Sequence, residues 1–409
     1  MTRELQVVVW GATGFTGRLV AENLCERYGA GGEVRWGIAG RSAQKLEVLR
    51  RDLAEIDPAA SRLALIVADS DDAGSLEAMA ARADVVCSTV GPYALYGSKL
   101  VAACVKVGAD YVDLTGEVPW IKQMIDAHHD EAARRGRRIV HCCGFDSIPS
   151  DIGVFLLQEA AQQRLGAPLD EVALHVLSTR GGVSGGTVAS LMEVLAQVKN
   201  PEVRRVLLDP YALNPADGVR GPDGLDQQGV RWDAEARTWT APFVMAAINA
   251  RIVRRSNALM GYPYGRSMRY GEVMAMKGGP VGLGKALGVS LGLGSLVGLG
   301  LFGPTRRLLE ATVLPSPGQG PSKEERERGR FDLRVSGRRG ADRMSLRVRG
   351  DRDPGYGATA KMLTEAALCL TLDREALPER FGILTPASAM GSALARRLPA
   401  VGVTFELEG

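Results

Sequence analysis

The feature that most constrains this chain lies at its start. A short β-branched apolar run, Leu5 to Trp10, leads straight into Gly11-Ala12-Thr13-Gly14-Phe15-Thr16-Gly17. A helical pattern follows, with Leu19, Val20 and Leu24 on one face. Strand, glycine turn and helix in immediate succession describe the phosphate-binding corner of a doubly wound α/β sheet. Gly11 lets the chain turn, Gly14 lets backbone N–H groups approach a diphosphate, and Gly17 lets the helix pack close to the strand. The spacing is G-x-x-G-x-x-G, and its place between strand and helix is what gives the triplet meaning.

The same alternation continues. Val34–Ala39, Leu63–Val67, Ala83–Thr89, Tyr111–Leu114 and Arg138–Cys142 read as buried strands, with helical patterns such as 97–107 and 119–135 among them. Six β-then-α units in residues 1–150 predict a complete Rossmann domain. Its second strand ends in Gly40-Arg41-Ser42, with Lys45 just beyond. An NAD enzyme places a carboxylate there for the ribose 2′-OH. Arg41, Ser42 and Lys45 instead suit a 2′-phosphate, so the expected cofactor is NADP(H). Asp69, after the third strand, either touches the adenine edge or caps the next helix. Thr89, Gly91 and Pro92 should line the diphosphate and nicotinamide ribose, because loops after strand carboxyl ends form the cofactor crevice.

Composition narrows the function. With 409 residues at roughly 150 per domain, two domains are natural. Fifty Lys and Arg against 47 Asp and Glu leave a net charge of +3, which argues against a nucleic-acid binder. The cysteines lack C-x-x-C spacing and the histidines form no ligand pattern, so no metal is expected and the cysteines read as buried residues in a reducing cytoplasm. The N-terminus shows no signal-peptide pattern, and the expected location is cytoplasmic.

Five segments of this first half, G-A-T-G-F-T-G at 11–17, A-G-R-S at 39–42, T-V-G-P-Y at 89–93, Y-V-D-L-T-G-E at 111–117 and G-F-D-S-I-P-S-D at 144–151, are joined by D-P-G-Y-G-A-T-A-K-M at 353–362 and G-I-L-T-P-A at 382–387. Together they resemble the saccharopine dehydrogenase-like oxidoreductases, most closely the bacterial branch of trans-acting enoyl reductases. The resemblance implies a Rossmann domain at 1–150, an α+β substrate domain at 151–353, and a segment at 354–409 that packs back toward the Rossmann domain. It also implies NADPH-dependent reduction of a carbon–carbon double bond on an acyl or polyketide thioester delivered by a carrier protein or synthase. Saccharopine-type reduction of an imine is the alternative chemistry. It would need basic clamps for substrate carboxylates, for which Arg251, Arg254, Arg255, Arg266 and Arg269 are candidates. A non-catalytic NADPH sensor or membrane scaffold is a third reading. A homodimer is also compatible with the sequence.

No catalytic triad is recognisable. Polar residues expected near the nicotinamide are Tyr93, Glu117, Asp146, Ser147 and Tyr356. Ser184 and Thr187, in a second glycine-rich turn, are candidate substrate contacts, and His175 reads as a satisfied histidine within a sheet. Residues 210–240 read as exposed loops. Residues 321–353 read as an antiparallel hairpin turning at Gly337–Gly340.

The segment 278–304 stands apart, because 286–303 carries no charge and meets the lower length of a membrane-spanning helix, roughly 17 residues. Lys285 precedes it and Arg306 and Arg307 follow. It reads as a membrane span, as buried core, or as a helix lying against the inner face of the plasma membrane or a lipid substrate.

Overall fold

The computed structural model describes residues 3–181, 185–312 and 320–408. The first half runs β1 (Leu5–Trp10), α1 (Phe15–Tyr28), β2 (Trp36–Gly40), α2 (Ala43–Ala54), β3 (Ala64–Val67), α3 (Ala73–Ala81), β4 (Ala83–Ser88), α4 (Tyr93–Tyr96), α5 (Ser98–Val107), β5 (Asp110–Val112), α6 (Val118–Arg134) and β6 (Arg138–Val140). Then come α7 (Ile148–Leu165), β7 (Glu171–Arg180), α8 (Gly185–Gln197), α9 (Pro201–Leu208), β8 (Arg231–Asp233), β9 (Thr238–Pro242), α10 (Ala246–Leu259), β10 (Arg269–Met276), α11 (Pro280–Leu301) and α12 (Gly303–Thr312). The chain finishes with α13 (Lys323–Arg328), β11 (Arg330–Arg339), β12 (Asp342–Gly350), α14 (Gly357–Leu372), β13 (Gly382–Leu384), α15 (Pro386–Arg397) and β14 (Val403–Glu408).

Two seven-stranded sheets result. The first is wholly parallel, in the order β13-β6-β5-β4-β1-β2-β3. Its central strand β1 is buried along nearly its whole length, as a parallel strand covered by helices on both faces must be. The order reverses at β1, which places a crevice outside the carboxyl ends of β1 and β4. The second sheet is mixed, in the order β14-β12-β11-β7-β10-β9-β8, and only β7 and β10 run parallel. In β11, Phe331, Leu333 and Val335 face inward. The alternate residues Asp332 and Arg334 face an open side laced with ion pairs such as Arg334–Glu408 and Arg349–Glu406.

One continuous core joins the two sheets. Helix α7 leaves β6 and lies on the second sheet, where Gly153 brings its backbone against Val335 and Val348. Helix α14 is buried from Ala358 to Leu370 apart from Lys361, and packs on α1 and on β1, β4 and β5. The C-terminal residues supply an edge strand to each sheet: β13 pairs with β6, and β14 pairs with β12.

Several local expectations need correction. Residues 153–162 read in sequence as an apolar helix, and helix α7 begins five residues earlier, at Ile148, with Pro149 in its first turn. Proline suits that position because its missing N–H has no helical partner there. The hairpin turns at Gly340, not from Gly337. Gly337 lies within the ladder opposite Val172 and Met344, and a Cβ there would come within 2.7 Å of the Leu169 side chain. Residues 210–240 are not all exposed loop: Leu213 is fully buried, and β8 and β9 form a sheet edge. The segment 286–303 is not core. Only Gly282, Ala286 and Gly300 of α11 are buried, while Val281, Leu291 and the following Phe302 are 74%, 69% and 68% exposed.

Candidate active site

The glycine turn has the shape its sequence requires. Gly11 has φ of +83°, and a Cβ there would press on Val90 and Thr89. A Cβ on Gly17 would collide with the Gly11 carbonyl, so helix α1 can lie this close only with glycine at that place. Gly14 is exposed, and α1 begins there with no side-chain cap. The first-turn N–H groups of Phe15, Thr16 and Gly17 therefore point toward a concave, positively polarised corner. That cradle fits a dinucleotide diphosphate. Thr13 is exposed beside it, with its hydroxyl toward Gly40.

At the end of β2, Arg41 is exposed and has no ion-pair partner among the described residues. Ser42 caps α2 by accepting a hydrogen bond from the Lys45 N–H at 3.3 Å, and the Lys45 side chain is exposed. An unpaired guanidinium, a hydroxyl and an ammonium at this strand end suit a phosphate on the adenosine ribose. Asp69 does not cap the next helix. Its carboxylate accepts from Asp71 N–H at 2.9 Å, and the cap of α3 is Asp72.

The loop after β4 is held from beneath. The Thr89 hydroxyl donates to the Trp10 carbonyl at 3.0 Å, and the loop continues through exposed Gly91 and half-buried Pro92. Tyr93 is buried, with its hydroxyl donating to the Ser88 carbonyl at 3.1 Å and its ring against Trp120. Buried Glu117 accepts from the Tyr93 and Ala94 N–H groups at 2.8 Å each and from the Ser190 hydroxyl at 2.7 Å. It thus ties the α4 turn to α8. Burial raises its pKa.

Asp146 differs from these two. It sits between β6 and α7 at the carboxyl edge of the parallel sheet, is partly accessible, and makes no hydrogen bond among the described residues. Burial, with the charge of Glu272 second, raises its pKa to about 7. Glu272 arrives on β10 of the second sheet, and desolvation lifts its pKa to about 7 as well. It accepts from the Tyr270 hydroxyl and from Asn249 Nδ2, both at 2.8 Å. The Asn249 amide oxygen in turn accepts from the Ser147 hydroxyl at 2.9 Å. A buried polar chain from both sheets therefore flanks one unengaged carboxyl group. Sequence reasoning missed Glu272 and Asn249. Glu272 did leave a signal: it shares the inward parity of Tyr270 within the β10 strand.

Tyr356 forms the N-cap position of α14 and stacks edge-on against Phe15, with ring centroids 4.7 Å apart. Three of the five candidate clamp arginines are committed elsewhere. Arg251 donates to the Asp209, Ala247 and Leu207 carbonyls; Arg254 pairs with Asp223 at 2.7 Å; buried Arg255 donates to the Leu213 and Ile383 carbonyls. Arg266 and Arg269 are exposed. His175 bonds Asp233 at 2.9 Å within the second sheet. Ser184 lies outside the described residues, and Thr187 falls in the first turn of α8. Among the described residues no cluster of His, Cys, Asp or Glu could hold a metal ion.

Residues 7–140 match the family model of the saccharopine dehydrogenase NADP binding domain. A Mycobacterium tuberculosis protein that carries the provisional name of a trans-acting enoyl reductase is 45% identical over 420 aligned positions, covering 99% of this chain and 97% of its own. A trans-acting enoyl reductase of Mycobacterium leprae is 41% identical, covering 98% of this chain and 97% of its own. Among solved structures, the apo saccharopine dehydrogenase (L-Glu forming) of Saccharomyces cerevisiae shares the fold, with a TM-score of 0.51 and 12% identity over 99% of this chain and all of that one. The cofactor is therefore NADP(H), and the chain is an NADP-dependent oxidoreductase.

Proposed function

The chain belongs to the trans-acting enoyl reductase family, with a saccharopine dehydrogenase-type NADP-binding domain at its head, and from that premise we propose that it reduces the carbon–carbon double bond of an α,β-unsaturated acyl or polyketide thioester presented by a separate carrier or synthase. When bound, NADPH supplies hydride to the β-carbon. The residues of the chain do the rest. Gly11, Gly14 and Gly17, with Thr13, Phe15 and Thr16, hold the diphosphate. Arg41, Ser42 and Lys45 take the 2′-phosphate, and Asp69 borders the adenine. Thr89, Gly91 and Pro92 position the nicotinamide ribose. Asp146, protonated, donates a proton to the α-carbon, so that the double bond becomes a single bond with one new hydrogen at each carbon. Ser147, Asn249 and Glu272 fix the loop that presents Asp146.

The observation that carries this reading over imine reduction is the state of helix α10. Imine substrates built from amino acids bring two or more carboxylates, and these need free guanidinium groups. Three of the five candidate clamps, Arg251, Arg254 and Arg255, spend donors on backbone carbonyls and on Asp223, and a fourth, Arg266, stacks over Tyr262, which leaves Arg269 as the one exposed candidate with no side-chain partner among the described residues. A neutral thioester makes no such demand. The exposed apolar surface of α11 suits the same substrate class, and its basic neighbours Lys285 and Arg307 suit an anionic cytoplasmic leaflet. We therefore extend the proposal to peripheral contact of α11 with the membrane face where such chains are handled.

The test is oxidation of NADPH by the purified protein with a panel of enoyl thioesters of increasing chain length, beside imines of 2-oxo acids with amino acids. Turnover of enoyl thioesters alone is expected. Turnover of the imines alone would overturn the reading.

A further inference from the structure

We infer that Arg326, from helix α13 far downstream of the Rossmann domain, is a ligand of the dinucleotide diphosphate and closes the glycine turn from above. Phe15 is the first residue of α1, directly after the Gly14 N-cap. Its ring is roofed by three residues of the second half of the chain. Tyr356 meets it edge-on. A Cβ at Gly320 would collide with it, so the chain there passes in contact with the ring. The guanidinium of Arg326 lies over it, 5.3 Å from the ring centroid. This planar cation on an aromatic face is a held geometry, worth more as water is excluded.

The backbone behind Arg326 is fixed. A capping box between Ser322 and Glu325 starts α13, and the Arg326 carbonyl accepts from the N–H groups of Gly329 and Asp353 at 3.3 and 3.1 Å. The side chain gives one donor, Nη1, to the Pro321 carbonyl at 2.7 Å. No carboxylate pairs with it among the described residues. Asp353, the acid whose field reaches it, is occupied by the N–H groups of Tyr356 and Gly357 at 2.9 and 3.0 Å. A half-buried guanidinium with donors to spare is thus held over the ring of Phe15, the first residue of the uncapped helix α1. Both features favour the same anion, and a diphosphate there would meet N–H groups from below and a guanidinium from the side. This inference rests on NADP(H) binding alone and does not depend on the thioester substrate.

The chemistry separates Arg326 from Arg41. Arg41 stands at the adenosine end, where NADP(H) and NAD(H) differ by one phosphate. Arg326 stands at the diphosphate they share. The experiment is the dissociation constant of NADPH and of NADH for the full chain and for Arg326→Gln, Arg326→Lys and Arg41→Ser, read by tryptophan fluorescence. Inorganic pyrophosphate serves as a competing probe. Arg326→Gln should weaken NADPH and NADH by the same factor, about tenfold, the cost of a charged hydrogen bond. It should weaken pyrophosphate competition in parallel, while the melting temperature without cofactor stays put. Arg41→Ser should weaken NADPH alone. Unchanged affinities in Arg326→Gln, or a loss confined to NADPH, would overturn the assignment. Should Arg326→Gln not fold, Arg326→Lys decides by the same comparison: it keeps the charge and loses the paired donors, so a smaller but equal loss for both nucleotides is required.

Discussion

Asp146 shows how one residue acquires chemistry from its neighbours. An exposed aspartate is ionised at neutral pH and cannot donate a proton. Here burial and the facing charge of Glu272 raise the pKa to about 7, where donor and acceptor forms are balanced. The sign follows directly. As the proposed proton donor the acid acts when protonated, so turnover should hold steady below about pH 7 and fall about tenfold per unit above it. In Asp146→Asn, kcat should drop by roughly 10² or more while the NADPH dissociation constant stays the same, and the alkaline fall should vanish. A pH profile of kcat for both proteins, with NADPH titrations beside it, reads all three. An unchanged kcat, or an alkaline limb that survives the substitution, would move the proton donor elsewhere. Tyr93 and Glu117 are weaker choices because their polar atoms already serve the Ser88 carbonyl and the α4 turn. The sequence could place all three at strand ends but could not rank them, since ranking depends on which partners fold against them. Glu272 reaches Asp146 from the other sheet, and no local pattern encodes that meeting.

At the scale of elements, legibility followed the physics of each signal. The six strands that residues 1–150 give the parallel sheet were readable to within a residue or two, because burial on both faces leaves unbroken apolar runs, whereas the three-residue β13 was too short to read as a strand. The glycine turn was readable because backbone geometry, not packing, demands glycine at 11 and 17. Helix α13 was not, since a run of Lys, Glu and Arg at 323–328 looks the same whether it is solvated or roofs a cofactor. The uncharged run 286–303, most of it in α11, was legible, but not what covers it. Helix α11 packs one side on β9, β10 and α8, with Gly300 set close to Leu195 and Met192, and turns Val281, Leu291 and Leu299 outward. Apolar side chains left mostly in solvent contribute little folding energy, so they can be altered cheaply. Replacing Leu291 and Phe302 together by serine should leave the melting temperature unchanged. It should also cut co-sedimentation with phosphatidylglycerol-containing vesicles about tenfold or more, as the loss of two inserted side chains requires. If the unaltered protein fails to sediment with such vesicles, or the double variant sediments equally, the membrane contact is wrong.

For the whole molecule, the decisive fact is that the last thirty residues belong to both sheets. Strand β13 completes the parallel sheet beside β6, and its Ile383 carbonyl receives the buried Arg255 from α10. Asp151, at the head of α7, accepts from the Ser256 hydroxyl at 2.5 Å and from the Ala387 N–H at 2.8 Å, so one carboxylate fastens three helices. Strand β14 closes the second sheet against β12, and α15 packs on α7 and α14. Every residue that contacts the cofactor in the proposal precedes this segment, yet the segment holds α14, and α14 lies against α1 and β1 beneath the glycine turn. A chain ending at Glu379 would expose the edge of β6, strip the buried Arg255 guanidinium of one of its two carbonyl acceptors, and uncover the apolar face of α14. Leaving one donor of a buried guanidinium unsatisfied costs about 1 to 3 kcal/mol, and the uncovered apolar surface adds to it, against a net stability of only about 5 to 15 kcal/mol for a domain. The truncated chain should therefore show no cooperative thermal transition by circular dichroism and no saturable NADPH binding, although its phosphate turn is intact. A cooperative melt with unaltered NADPH affinity would instead mean that residues 1–379 fold as a unit and that the terminal strands only decorate it. The two outcomes differ in what a Rossmann half means in this chain: a module that binds its cofactor alone, or one layer of a single core that must close before the cofactor has a site.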